Sequence, residues 1–255
     1  MNATRVATGW WVYGVVPSDA AVEELARAEG VGSAPVRLVR AAGLAALTGE
    51  VPLDEFDEEG LRRNLEDPVW LEEQARAHDA VLAGALARSP LVPLRFGVVY
   101  RSEDGVRQML ELRAPELEAT LARVAGRVEL GVKAFLVDRG EQRAAAASGR
   151  EYLLRKQEER RRAAEADAQG SDVALELHER LAAHAQEARA NRPQRPELSG
   201  RRERMILNGV YLVAVDRQDA FAGAVDALRR VYESHGVLLE LTGPWPPYNF
   251  AGEDE

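Results

Sequence analysis

The chain has 255 residues, with 33 basic against 42 acidic side chains and a formal charge of −9. Its 46% apolar and 29% charged shares fit one large or two small globular domains and exclude wholesale disorder. The absence of cysteine removes disulfide frameworks, thiol nucleophiles and Cys-ligated metal or iron–sulfur sites, and an acidic balance argues against bulk nucleic-acid binding.

Residues 9–16, GWWVYGVV, are β-rich and bounded by Pro17, which predicts a buried strand. Ser18 and Asp19 are placed to cap a helix carrying Val22, Leu25 and Ala26. Two short strands come next at 36–40 and 44–51, around a turn at Ala42 and Gly43. An acidic stretch at 54–59 then reads as a loop or a short exposed helix. Asp67 and Pro68 open a longer helix, since proline in the first turn forfeits no hydrogen bond. Residues 94–100, LRFGVVY, predict the next strand. Helices are expected from Ser102 to Leu112 and from Pro115 to Val124, then a strand over 127–137.

The second half repeats this kind of succession. A linker at 139–147 leads to a long charged helix over 148–190, interrupted at Gly170. An irregular loop lies at 191–200, then a strand at 205–215, an amphipathic helix at 219–233 and a strand at 236–241. The order predicts an α+β fold of two ferredoxin-like domains, 1–125 and 126–255, with helices packed on one face of each sheet. The second domain carries the long coiled-coil-like helix and the Pro/aromatic tail.

The most specific segment is LTGPWPPYNF at 241–250. Prolines restrict its backbone before any binding event, while Trp245, Tyr248 and Phe250 offer large faces. A recognition surface is one reading; a tail folded back to plug its own core is the more economical one. The run RKQEERRR puts Arg155, Arg160 and Arg161 on the charged helix as candidate contacts for an acidic partner, although a solvated face explains it as well. Arg95, read as lying on an apolar strand, is expected to form an internal ion pair with an acidic group such as Glu129 or Asp79. His78 beside Asp79 could serve as a general base, but nothing supplies a nucleophile. His78, His178, His184 and His235 lack metal-ligand spacing, and no glycine-rich phosphate loop is present. The residues therefore indicate no catalytic centre, no metal and no cofactor. The longest charge-free stretch, residues 6–18, is too short to cross a membrane, and no secretory signal is evident, so a cytoplasmic location is expected.

Seven segments in order carry a family resemblance: WVYGVV at 11–16, HDAVLAGAL at 78–86, VPLRFGVVY at 92–100, RVELGVKAF at 127–135, SGREYLLRK at 148–156, YLVAV at 211–215 and LTGPWPPYNF at 241–250. In these the chain resembles the gas vesicle synthesis proteins of the GvpL/GvpF type. The resemblance implies a non-enzymatic accessory or minor structural protein. Its implied partners are the small hydrophobic shell protein and other accessory gas vesicle proteins, with a position on the gas-facing side of the shell. The competing reading is a ferredoxin-like ligand- or RNA-binding regulatory module.

Overall fold

The computed structural model describes residues 7–137, 149–194 and 203–252. It divides into two compact units, one formed by Met1–Val128 with Trp245–Glu255 and the other by Glu129–Pro244. The tail from Trp245 thus packs with the first unit, whereas the sequence reading groups it with the second.

In the first unit β1 (Thr8–Pro17) is the central strand. It pairs antiparallel with β3 (Leu44–Pro52), which in turn pairs with β2 (Val36–Ala41). On its other side β1 pairs with two short strands, β4 (Val92–Pro93) and β5 (Val99–Tyr100). The resulting order, β2-β3-β1-β4, is compatible with the expected ferredoxin-like arrangement. Residues 94–100 do not form one strand. Gly97 takes a φ of 92°, and the chain turns at Phe96 and Gly97, which leaves only Val99–Tyr100 of the segment as strand and separates β5 from β4.

The connection from β1 to β2 contains two 3-10 turns, Glu23–Arg27 and Val31–Ser33, in place of the expected helix. Val22, Leu25 and Val31 still reach the core from it. The acidic stretch forms two short helices, α1 (Leu53–Phe56) and α2 (Glu58–Asn64). Asp67 caps α3 (Pro68–Leu86) by accepting from the Val69 and Trp70 amides. A single helix, α4 (Glu103–Val124), runs through Pro115 in place of the two expected helices.

Both faces of this sheet are covered. Trp11, Tyr13 and Val16 pack with Phe56 of α1 and with Val81, Leu82 and Ala85 of α3. On the opposite face Val12 and Val15 pack with Val106, Leu110, Leu117 and Leu121 of α4. The expectation of helices on one face is corrected here: β1 is apolar on both sides because two helical layers need it to be. The inward positions 11, 13 and 16 break strict alternation because the β1–β3 register shifts between Val12 and Gly14, and the extra residue reverses the parity of the rest of the strand.

The second unit has the succession β6 (Arg127–Leu136), α5 (Gly149–Ala182), β7 (Glu187–Asn191), β8 (Arg204–Ala214), α6 (Gln218–Glu233) and β9 (Val237–Trp245). Its strand order is β7-β8-β6-β9, and β7 pairs antiparallel with β8. Leu177 and Leu181 of α5, Tyr211 of β8 and Phe221 and Val225 of α6 are fully buried. Gly170 does not interrupt α5. It is buried, and a Cβ there would lie 3.2 Å from Ile206 Cγ2, so the glycine permits close packing of helix on strand.

Candidate functional site

The tail is built from its backbone outward. After β9, Pro246 and Pro247 are buried, and the chain turns tightly: the Tyr248 amide donates to Pro246 O (2.7 Å) and the Phe250 amide to Pro247 O (3.0 Å). This geometry separates the aromatic residues into two groups. Phe250 is fully buried, its carbonyl accepts from the Arg123 guanidinium, and Ala251 joins the α4-facing core. Trp245 is 48% exposed and Tyr248 37% exposed. The plug reading therefore applies to Phe250, and Trp245 and Tyr248 form the outward part of the same segment.

Tyr248 is anchored at its polar end. Its side chain hydrogen-bonds to Asp79 on α3. Partial desolvation holds the Asp79 carboxyl above its ordinary value, and the Tyr248 hydrogen bond opposes that rise by favouring the carboxylate. One ring is thus held by its hydroxyl while part of its apolar body stays in water, an arrangement suited to a partner that buries aromatic surface.

The other sequence candidates are dispersed. Arg155, Arg160 and Arg161 lie in α5; Arg161 is exposed, and the side chains of Arg155 and Arg160 lie outside the described residues. Arg95 is exposed, which corrects the premise that a buried cation there requires an anion. Glu129 is 4% exposed in β6 and belongs to the second unit.

His78, for which the sequence offers no catalytic partner, is the centre of a buried aromatic cluster. Its Nδ1 accepts from Trp11 Nε1 at 3.1 Å, and the rings of Trp11, Tyr13 and Phe96 lie 5.4–5.8 Å from its own. With Nδ1 accepting, Nε2 carries the proton in the neutral ring and is buried, and a backbone hydrogen bond with Leu94 partly opposes the effect of that burial. Burial pushes the imidazole down to about 4. Two further bonds tie the 3-10 crossover to this cluster and to α3: the Val31 amide donates to Tyr13 Oη, and the Gly32 amide to Gln74 Oε1, both at 2.8 Å. Burial also pushes the Tyr13 hydroxyl up to about 12. The cluster has the chemistry of a structural clamp. Among the described residues no group of three or more His, Asp or Glu side chains could hold a metal ion.

Sequence reasoning missed one surface feature, a cleft of about 650 Å³ between α1–α2 and β5. Its apolar lining comes from Leu53, Phe56, Leu61, Leu65 and Val99. The signal available was the apolar pattern Leu53, Phe56, Leu61, Leu65 inside a stretch read as merely acidic.

The fold and tail define an α+β protein of two units, one built on a five-stranded and the other on a four-stranded sheet. Comparison with known proteins supplies the family. The family model for "Gas vesicle synthesis protein GvpL/GvpF" matches residues 9–252, and the chain belongs to that family. It is 40% identical to gas vesicle protein L of Streptomyces sp. (strain CB03234) over 95% of this chain and 92% of that protein. It is 30% identical to gas vesicle protein F of the same strain, over 94% and 98%. The crystal structure of the gas vesicle protein GvpF from Anabaena sp. PCC7120 shares the fold, with a TM-score of 0.70 at 21% identity, covering 97% of this chain and 98% of that one.

Proposed function

We propose that this chain is a non-enzymatic accessory protein of gas vesicle assembly that holds the small hydrophobic shell protein through the outward rings of its tail. A gas-tight wall is built from subunits whose apolar surfaces aggregate before assembly. An acidic adaptor with preordered aromatic faces would engage such subunits one at a time and keep the complex dispersed. The observation carrying this reading is the division of one proline-rich segment into a buried anchor, Phe250, and two exposed rings, Trp245 and Tyr248. The charged helix α5 would recruit further accessory proteins. Greater identity to protein L than to protein F of one strain supports an L-like role, and a place on the gas-facing side of the shell belongs to the same proposal.

Complementation tests it. A strain lacking the chain, and any redundant copy, should regain buoyancy with the wild-type gene and not with Trp245→Ala plus Tyr248→Ala expressed at equal level. Full flotation with the double variant would exclude the tail as the working surface. The competing RNA-binding reading is disfavoured in the first unit by its sheet: bases stack on an open face, and both faces here are covered by helices.

A further inference from the structure

We propose that the second unit carries a preformed ligand site, a cavity of about 100 Å³ that takes one compact, uncharged hydrocarbon molecule of the size of benzene. It involves none of the residues of the tail reading and stands or falls independently of it.

The cavity lies where four elements of the second unit converge. Helix α5 contributes Gly170 and Val173, and α6 contributes Tyr232, with His235 just beyond its end. Leu136 and Val237 come from the adjoining ends of β6 and β9. A void in a core is lost where its neighbours can collapse into it, and these neighbours are held in place. The Tyr232 hydroxyl bonds to the Glu176 side chain, which is itself paired with Arg180 at 2.6 Å. His235 Nδ1 donates to Val231 O at 3.1 Å, and the Val137 amide ties the two strand ends by donating to Gly236 O at 2.9 Å. Gly170 has no side chain to swing inward.

The lining chooses the chemistry of the occupant. No carboxylate, ammonium or guanidinium group lines the cavity, so nothing there balances a charged ligand. Water fits poorly as well, because a buried water needs two to four polar partners. The Tyr232 hydroxyl and His235 Nδ1 are already engaged, and Leu136, Val173 and Val237 offer only carbon. A closed apolar cavity of about 150 Å³ stays dry and takes benzene or xenon. This one is smaller but opens to solvent beside the exposed Gln169 and His235, so a six-carbon ring enters with one edge outward.

The probes are benzene and pyrimidine, a ring of the same shape with two nitrogens, titrated into the full chain with valine methyl groups labelled for NMR. Benzene should give saturable shifts at the Val173 and Val237 methyls and raise the melting temperature. Pyrimidine should bind about tenfold more weakly, because its nitrogens would be buried unpaired. Val173→Phe fills the cavity and, with the circular dichroism of the wild type, should lose the benzene shift at Val237. Val173→Ala enlarges it and should bind toluene about fourfold tighter than the wild type does, the factor for one further buried methyl group; an unfolded variant cannot show such a gain. No saturable benzene shift would make the cavity a packing void only and overturn the proposal. So would equal binding of pyrimidine, a benzene shift that survives in folded Val173→Phe, or unchanged toluene affinity in Val173→Ala.

Discussion

Replacing Phe250 with alanine separates the two halves of the tail. The Phe250 side chain is fully buried, its carbonyl accepts from Arg123, and Ala251 beside it packs on α4 with Val106, Leu110 and Leu121. Large-to-small replacement at such a site loses the transfer free energy of the ring and leaves a cavity, together about 3–5 kcal/mol. For a unit of this size that corresponds to a fall in melting temperature of roughly 10 °C or more. Trp245→Ala removes a ring that is 48% exposed, and its cost should stay within about 1 kcal/mol. Far-UV circular dichroism against temperature reads both variants without relying on tryptophan emission. If Phe250→Ala melts with the wild type, the anchor reasoning is wrong and the whole tail is a surface appendage. If Trp245→Ala melts as low as Phe250→Ala, the division of the segment into anchor and exposed rings fails.

The same geometry determines three other outcomes. The buried imidazole of His78 is held at about 4 against an ordinary 6.5, so the unfolded chain takes up a proton between those values and the folded chain does not. Stability from this group is complete above pH 6.5 and is lost as pH falls toward 4, by about 3 kcal/mol in all; urea midpoints between pH 6.5 and 5 should fall in the wild type and flatten in His78→Gln. Asp67→Ala removes the cap of α3 and should cost about 1 kcal/mol in urea denaturation, with Asp67→Asn close to neutral. Gly170→Val forces branched volume against Ile206 and should cost about 1–3 kcal/mol by the same measurement, whereas a helix truly broken at Gly170 would accept valine without loss.

Much of the architecture is readable because local chemistry and tertiary context agree. The apolar run of β1, the Asp67-Pro68 start of α3 and the spacing of Phe221, Val225, Leu228 and Tyr232 in α6 each determine an element that the fold then uses. The misreadings fall where context overrides composition. Strand β7, sequence EARAN, carries no β-rich signal and exists as a strand because β8 pairs with it. The break between β4 and β5 depends on one backbone angle at Gly97. A helix capped at Ser18 and Asp19 is a fair local inference, but the connection forms two 3-10 turns separated by the extended Gly30, with Gly32 at a φ of 63° inside the second. For the site, aromatic content and proline spacing single out the segment that the fold divides between core and surface. Which rings face water is not legible, because that depends on Arg123, Asp79 and the α4 core, all remote in sequence.

The most direct test of the central claim is co-purification of the shell protein with the folded wild-type chain and with Trp245→Ala plus Tyr248→Ala, at matched expression and with matched circular dichroism. Capture should fall at least about tenfold in the double variant, the factor that the loss of one buried aromatic hot spot supplies. Capture equal to wild type by the double variant would contradict it.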